Sequence, residues 1–409
     1  MKRKRSHRLS GAVTLGLILA WCLFSVGCDS APSEDVQRAP SGWDIVENLR
    51  PVWGDGEGWR FDPQPSVVLP QEGDAFLFRL TGAFRLSDGT LVVVDHGLRE
   101  VLFFDPGGRL VRKAGGRGEG PGEFTSISGA ALAAGDTLTI WESRALRITR
   151  LAPDGSLISA KRGPVELFPS GSEGSWVAPG GFVFVRHTLP GVDDSRQSGP
   201  VRATRYLSRI EPEQGIDTFK ELPGREVLHM ALPGVPAGLR YPVSTLFGPN
   251  THLAAGGTPW QLVVGDAAEA SFEVWDEGGS LVRRVSWGVQ RPRLSAAEVE
   301  AERDRRMEEA VEMRNGEALE GIPLLPAPQL APIYRRLFVD DLGHTWVERY
   351  PCAAVPEGTW SVFGPKGAWL GDVIFPPDVV RPLHIGQGFM VGLREDSLGV
   401  QTVGLYRFQ

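Results

Sequence analysis

The fold is decided by residues 82–113, whose sequence is GAFRLSDGTLVVVDHGLREVLFFDPGGRLVRK. Four short apolar runs in this stretch are separated by turns rich in Gly, Pro and Asp, a pattern typical of strands joined in antiparallel hairpins. The predicted strands cover about 82–86, 91–94, 101–104 and 110–113. Four successive antiparallel strands are therefore the basic structural unit of the chain.

The same unit recurs 47 residues further along the chain. Leu91, Pro106, Gly108 and Leu110 are matched at that spacing by Leu138, Pro153, Gly155 and Leu157. A constant spacing across successive strands and turns indicates an internal repeat. A repeat of this length with four antiparallel strands is typical of one blade of a β-propeller.

Later parts of the chain carry the same pattern with longer interruptions. Strand patterns for four further blades lie within 182–210, 272–283, 337–373 and 389–408. The last unit is one strand short, and we expect residues 66–69 to supply that strand and close the ring. The sequence therefore predicts an all-β fold over residues 61–409, a six-bladed β-propeller of four-stranded antiparallel blades with one helical insertion. Five or seven blades are the alternatives.

The first blade also resembles a known repeat family. The residues that carry the resemblance are Val92–Asp105, Gly108 and Gly115–Phe124. They are similar to the NHL-repeat family and to six-bladed propeller lipoproteins. The resemblance implies a propeller fold and a tendency to bind proteins, sugars or nucleic acids rather than one particular chemistry. It also implies that Asp95 and Arg99 brace the loop between the second and third strands of the blade.

The N-terminus has the pattern of an export signal. A basic start at Lys2, Arg3, Lys4, Arg5 and Arg8 precedes an apolar run from Gly11 to Gly27. Ser25-Val26-Gly27-Cys28 resembles the lipobox of bacterial lipoproteins, whose cysteine is acylated and becomes the new N-terminus. We therefore predict a lipoprotein signal peptide over residues 1–27 and lipidation of Cys28. An uncleaved anchor helix and cleavage by ordinary signal peptidase are the alternatives.

The segment after the signal is rich in Pro, Ser, Gly and charge, so we predict a tether over residues 28–60. The lipid would hold the protein in the cell envelope, membrane-anchored and facing the periplasm or the exterior.

Removing residues 1–27 takes away five of the 43 basic residues and none of the 50 acidic ones, leaving a net charge of about −12. Such a surface repels phosphate backbones, which argues against nucleic-acid binding. Cys352 then has no partner for a disulfide.

The two ends of the blades differ in their loops. In a four-stranded meander, the first-to-second and third-to-fourth turns share one end, and the second-to-third loops and the blade connectors share the other. The first end, here called the tight-turn face, has short Gly-rich turns. The second, the elaborated face, holds the long insertions at 115–124, 187–202, 222–242 and 287–332. Loops elaborated on a rigid scaffold usually carry function, so we expect binding on the elaborated face.

The insertion at about 288–332 contains a helix. Ser295-Ala296-Ala297-Glu298 has the capping-box pattern. Helix-forming residues run to about Arg314, where Asn315-Gly316 ends them. Because few of these residues are apolar, we expect a solvated arm that serves as a lid, a docking surface or a plain surface helix.

Arginines recur near the ends of the second strands. The candidate ligand-binding residues on the elaborated face are Arg99, Arg144, Arg186, Arg349 and Arg394, together with His96 and His187. A rim of guanidinium groups would suit carboxylates or anionic sugars. The alternative is that each arginine pairs with a neighbouring acid such as Glu142, Glu348 or Glu395.

Catalytic chemistry finds little support in the pattern. The order of strands within a blade places His96 and His187 at the elaborated face, and His252 and His344 near the tight-turn face. His384 lies in an innermost strand. Histidines scattered in this way do not form a three-ligand metal site. We predict no metal, no cofactor and no catalytic residue. The favoured function is a binding or scaffolding module for a protein or glycan ligand. The alternative is a channel-sited hydrolase or lactonase, which needs three or more carboxylates or histidines on the innermost strands.

Overall fold

The computed structural model describes residues 35–38, 42–54, 56–70, 76–162, 174–178, 183–187, 199–211, 215–232, 240–395 and 400–409. Within these ranges the strands form six sheets, each of which is one blade. The innermost strands of successive blades contact each other in ring order from blade 6 through blade 1 to blade 5. The protein is thus an all-β, six-bladed propeller, as predicted.

The strands are numbered along the chain. Three short N-terminal strands are β1 (Asp35–Arg38), β2 (Asp44–Asn48) and β3 (Val67–Val68). Blade 1 contains β4 (Leu80–Arg85), β5 (Leu91–Asp95), β6 (Glu100–Phe104) and β7 (Leu110–Gly115). Blade 2 contains β8 (Gly129–Ala133), β9 (Thr137–Glu142), β10 (Arg147–Leu151) and β11 (Leu157–Arg162). Blade 3 contains β12 (Gly174–Val177), β13 (Val183–His187), β14 (Pro200–Glu211), β15 (Gly215–Met230) and β16 (Tyr241–Ser244).

The other three blades follow in the same way. Blade 4 contains β17 (Thr251–Gly256), β18 (Gln261–Asp266), β19 (Ser271–Asp276) and β20 (Leu281–Trp287). Blade 5 contains β21 (Tyr334–Val339), β22 (Thr345–Arg349), β23 (Thr359–Phe363) and β24 (Trp369–Ile374). Blade 6 contains β25 (Val379–Gly386), β26 (Phe389–Glu395) and β27 (Gln401–Arg407). The helices are α1 (Ala296–Glu312) and α2 (Gly316–Gly321), with one-turn 3-10 helices at Ala134–Asp136 and Ile322–Leu324.

The continuous apolar run in β5 is explained by blade packing. Leu91 and Val93 pack with blade 6 residues such as Leu383. Val92 and Val94, on the other side of the strand, pack with blade 2 residues such as Ile140. Successive side chains of a strand point to opposite faces, and both faces of a blade are covered by neighbours. The strand therefore carries apolar residues at every position.

The 47-residue repeat is visible in backbone conformation as well as in sequence. Gly108 and Gly155 occupy equivalent turns with φ of 86° and 77°. Arg99 and Leu146, also 47 residues apart, both have positive φ, at 61° and 48°. Blades 1 and 2 are therefore built on the same turns, which supports the interpretation of this region as a true repeat.

Strand β3 closes the ring as the outermost strand of blade 6. It pairs antiparallel with β27, with Val67 opposite Leu405 and Val68 opposite Gly404. The N–H of Leu69 donates to Val403 O at 2.9 Å, which extends the pairing by one residue. The predicted closing strand at residues 66–69 is confirmed.

The second half of the predicted tether differs from expectation. Strand β2 pairs in parallel with β20 as an added strand of blade 4, and β1 pairs with β2. The side-chain amide of Asn48 donates to Ser286 O and Gly367 O, tying this strand to blades 4 and 5. Residues 44–48 therefore belong to the propeller. Only Val46 in this strand is buried. The alternation of apolar and polar residues is therefore too weak to predict the strand from the sequence.

The insertion helix packs along one stripe against blade 3 and is therefore not the free, solvated arm that was predicted. The capping box at Ser295 is present. Val299 and Ala310 of α1 are buried, and Val299 belongs to an apolar cluster with Val243 and Phe247 beside blade 3. In the same helical stripe, Arg303 donates to Ile322 O and Leu325 O, and Arg306 donates to Thr245 O.

The arginines in this stripe explain why the prediction failed. Their aliphatic stems lie against the protein while their charged ends bond to backbone carbonyls. A hydrophobicity pattern records such positions as polar.

Among the described residues, no helix is long and apolar enough to cross a membrane.

Candidate functional site

The predicted rim arginines of blades 5 and 6 are paired with acids. The Arg349 Nη1 atom lies 3.6 Å from Asp372 Oδ2, and Arg394 Nε donates to Asp378 Oδ2 at 2.7 Å. Asp378 also accepts from the Tyr406 hydroxyl at 2.7 Å. The pairing alternative therefore describes Arg349 and Arg394, although their partners are not the acids next to them in sequence.

In the predicted Asp95–Arg99 brace of blade 1, the Asp95 carboxylate makes the contacts. Asp95 is fully buried, and its Oδ1 accepts from Leu98 N at 2.9 Å while its Oδ2 accepts from Phe78 N. Burial raises the pKa of Asp95. The half-buried Arg99 guanidinium forms no ion pair in the described part of the chain, and its Nε has no hydrogen-bond partner there. Asp95 joins the loop to the start of β4, and Arg99 contributes its left-handed backbone.

The other predicted residues are scattered over the elaborated face. Arg144 is exposed and has no ion-pair partner among the described residues. His96 is exposed, and its Nδ1 lies 2.6 Å from Ile127 O, so that Nδ1–H donates and Nε2 of the neutral ring is free to accept. Arg186 and His187 lie in β13, but their side chains are outside the described part of the structure, as is Cys28.

The structure brings together two arginines that the sequence reasoning missed. Arg336 of β21 and Arg381 of β25 each follow a one-residue irregularity in the pairing with the second strand of their blade. Both side chains then reach to the innermost strand of the next blade. Arg336 Nη1 donates to Val380 O at 2.8 Å, and Arg381 Nη2 donates to Leu80 O at 3.1 Å. A bulge of this kind re-aims a side chain.

The charges around this pair do not balance. Arg335 Nη2 lies 2.8 Å from Glu348 Oε1, and Arg336 Nε lies 3.4 Å from Glu348 Oε2. Glu357 is a second acid on Arg335. Arg381 has no carboxylate within ion-pair distance among the described residues, and it is only partly exposed. The cluster therefore holds three guanidinium groups against two carboxylates.

The surroundings of Arg381 disfavour its charged form. Burial and, second, the positive charge of Arg336 lower the pKa of Arg381. Burial also lowers the pKa of Arg336, which Glu348 partly offsets. Both groups remain cationic at neutral pH because an arginine pKa lies far above it. A half-buried cation beside a second cation is a site that an anion would stabilise.

The sequence carries a local signal for these residues. The corresponding innermost strands of blades 1 and 2 carry small residues near their starts, such as Gly82 and Ala130. Arg335, Arg336 and Arg381 replace them with long cations in blades 5 and 6. The predicted arginines all lie near the ends of second strands, whereas the innermost strands line the ring.

The histidines divide between the two faces. His384 Nε2 lies 2.8 Å from the carboxylate of Asp341, and its Nδ1 accepts from Arg85 N at 2.9 Å, so it links blades 5, 6 and 1 near the tight-turn face. His252 stands at the start of β17 with its ring 5.8 Å from that of Tyr334, which places it toward the elaborated face and corrects the prediction. Among the described residues, no three His, Cys, Asp or Glu side chains are grouped to hold a metal ion.

Comparison with known proteins agrees with the architecture. Residues 71–166, which cover blade 1 and blade 2, match the model of the family DUF5128, described as a 6-bladed beta-propeller. No curated protein matches the chain by sequence. Solved structures match over most of the chain at low identity.

Three of these structures have identities of 12% to 16% and TM-scores of 0.34 to 0.45. A protein from Bacteroides fragilis that is predicted to be exported is 12% identical, with 89% of this chain and 99% of that chain covered and a TM-score of 0.45. A member of the duf4221 family from Bacteroides vulgatus is 12% identical, with 86% and 96% covered and a TM-score of 0.44. A gluconolactonase from Xanthomonas campestris is 16% identical, with 81% and 86% covered and a TM-score of 0.34.

Proposed function

We propose that this protein is an exported, lipid-anchored propeller of the cell envelope that binds an anionic ligand, carried by a protein or a glycan, on its elaborated face. The basic and apolar N-terminus and the Ser25–Cys28 motif support export and anchoring. The resemblance of blade 1 to NHL repeats supports a binding role, because it implies a tendency to bind proteins, sugars or nucleic acids rather than one particular chemistry.

The observation that carries the proposal is the uncompensated charge of Arg381. The chain as a whole is acidic, with a formal net charge of −7. An acidic surface disfavours anions in general, so a local excess of guanidinium groups beside the ring centre selects where an anion can bind. Arg336 and Arg381 each use one nitrogen on a backbone carbonyl, and Arg336 also faces Glu348 through its Nε. The other N–H groups of Arg381 face no carboxylate in the described part of the chain and are available to an anionic ligand.

The alternative function, a channel-sited hydrolase or lactonase, calls for converging carboxylates or histidines. At the elaborated ends of β21 and β25 the structure brings together three guanidinium groups, and the two carboxylates there, Glu348 and Glu357, are both paired with Arg335. Guanidinium groups bind and orient anions but do not exchange protons at neutral pH. The arrangement therefore favours recognition.

The proposal predicts that Arg381→Gln weakens binding of two anionic polymers, polygalacturonate and polyglutamate, by about 10-fold or more in isothermal titration calorimetry. The neutral amide keeps much of the side-chain length but loses the charge. Arg109→Gln removes an exposed arginine from the turn between β6 and β7 on the opposite, tight-turn face and should bind within about twofold of the unaltered protein. Wild-type binding of neither polymer, or unchanged binding by the Arg381→Gln variant, would refute the anion site.

Anchoring predicts that Cys28→Ala leaves an unprocessed precursor that no longer incorporates radiolabelled palmitate or partitions into Triton X-114. Acylation requires the thiol of Cys28, because the cysteine sulfur carries the lipid. A Cys352→Ala variant, in which the other cysteine of the mature chain is changed, should be processed and labelled normally. Normal processing of the Cys28→Ala protein would show that the anchor is assigned to the wrong residue.

A further inference from the structure

Two exposed phenylalanine rings lie in the connector that leads to the anion site. Phe76 and Phe78 are 50% and 48% exposed. Both precede β4, whose first residue, Leu80, accepts the hydrogen bond from Arg381. Large aromatic side chains are usually buried, and two of them left half-exposed beside a binding site commonly contact ligand.

The position of Phe78 is set by its neighbours. Its N–H donates to the buried Asp95, and its carbonyl accepts from Gly97 N at 3.2 Å. The ring lies so close to Gly97 that a Cβ added there would stand 2.4 Å from the Phe78 Cδ1 atom. Only glycine therefore fits at position 97, beside the Cδ1–Cε1 edge of the Phe78 ring.

Polar groups surround this aromatic position. The Arg79 guanidinium lies 5.3 Å from the centre of the Phe78 ring. The backbone N–H of His96 donates to Arg79 O at 3.0 Å, so the exposed imidazole of His96 belongs to the same corner of blade 1. Its free Nε2 can accept a hydrogen bond from a hydroxyl group. The exposed Phe78 ring, the His96 acceptor and the Arg381 guanidinium, which donates to Leu80 O, therefore all lie around the start of β4.

These three features together fit one ligand chemistry. We propose that the anionic ligand is an acidic glycan whose sugar rings carry carboxylates, with Phe76 and Phe78 as the stacking residues. The C–H face of a pyranose packs on an aromatic ring, its carboxylate pairs with Arg381 and Arg336, and its hydroxyls reach His96. An acidic peptide supplies carboxylates but no repeating flat apolar face. This inference rests on the proposed anion site.

The test compares polygalacturonate, polyglutamate and neutral dextran on the processed full chain by isothermal titration calorimetry. Phe78→Ala should weaken polygalacturonate about 10-fold and leave polyglutamate within about twofold. Arg381→Gln should weaken both anionic polymers, and dextran should bind far more weakly than polygalacturonate. The control is Ile158→Ala, which removes another exposed apolar side chain, 56% exposed, on the outer strand β11 of blade 2.

Each outcome separates the two proposals. Unchanged polygalacturonate binding by both Phe78→Ala and Phe76→Ala, with Arg381→Gln still impaired, would overturn the glycan assignment and keep the anion site. Polyglutamate binding tighter than polygalacturonate would instead identify an acidic peptide as the ligand. Unchanged binding by Arg381→Gln would remove the proposed function itself. Melting curves of the variants verify the fold, and Phe76→Ala provides the same test if Phe78→Ala fails to fold.

Discussion

A chain that begins at residue 70 is expected not to fold, whereas one that begins at residue 42 is expected to melt within a few degrees of the whole mature protein. The longer truncation removes β3 and leaves blade 6 with three strands. It also removes Leu69, which is 1% exposed, and the partly buried Trp59 and Phe61.

The expected loss is as large as the stability of the fold. Trp59 stacks on Trp346 with ring centres 5.4 Å apart, and Phe61 lies 4.8 Å from Phe408. Losing one large side chain from the core costs about 2–5 kcal/mol. The loss of three such side chains therefore approaches the free energy of unfolding of a typical domain, which is about 5–15 kcal/mol.

Circular dichroism melting and limited proteolysis measure the effect. The chain beginning at residue 42 serves as the matched control, because it loses the preceding segment and β1 but keeps β2 on the edge of blade 4. A cooperative transition in the chain beginning at residue 70, at a temperature close to that of the control, would show that the ring is stable without its N-terminal strand.

The second large effect is expected at a buried ion pair in blade 2. Glu142 and Arg147 have side chains that are 0% and 4% exposed, and they bond directly to each other. Glu142 Oε1 also accepts from Thr125 N at 2.9 Å. Arg147 donates to the carbonyls of the connector between blades 1 and 2, at Glu119, Gly120 and Glu123. The pair thus joins the connector to the blade.

Glu142→Ala is expected to lower the free energy of unfolding by about 3–5 kcal/mol, because it leaves the Arg147 charge buried without its partner. Urea denaturation followed by tryptophan fluorescence gives the change. Glu309→Ala breaks the exposed pair between Arg305 and Glu309, whose side chains are 52% and 51% exposed, and should cost less than about 1 kcal/mol.

A double variant distinguishes the cost of the unpaired buried charge from the contribution of the Arg147 hydrogen bonds. Glu142→Gln combined with Arg147→Met removes both charges while keeping similar volumes, and it should recover much of the lost stability. If the double variant is as unstable as Glu142→Ala, the hydrogen bonds from Arg147 to the connector carry the stability instead of the charge balance. A Glu142→Ala protein as stable as the Glu309→Ala control would contradict the argument altogether.

The features that the sequence determined by itself are local ones. Turn glycines such as Gly108 and Gly155 act within a few residues, and the apolar run of β5 follows from a strand with both faces covered. The capping box at Ser295 is a contact between residues three apart. Because such signals need no knowledge of distant partners, blade, repeat and helix start could all be predicted. The closing strand followed from the strand count, since the last unit was one strand short.

The tertiary structure decided which charges are paired and which are not. Arg394 meets Asp378 and Arg349 meets Asp372, partners that lie 16 and 23 residues away and come together only when the blades form. Arg336 and Arg381, 45 residues apart, become neighbours because consecutive blades pack side by side around the ring. The free energy of a charge depends on every group within a few ångströms in space. The unpaired Arg381, on which the proposed site rests, therefore emerges only from the closed propeller.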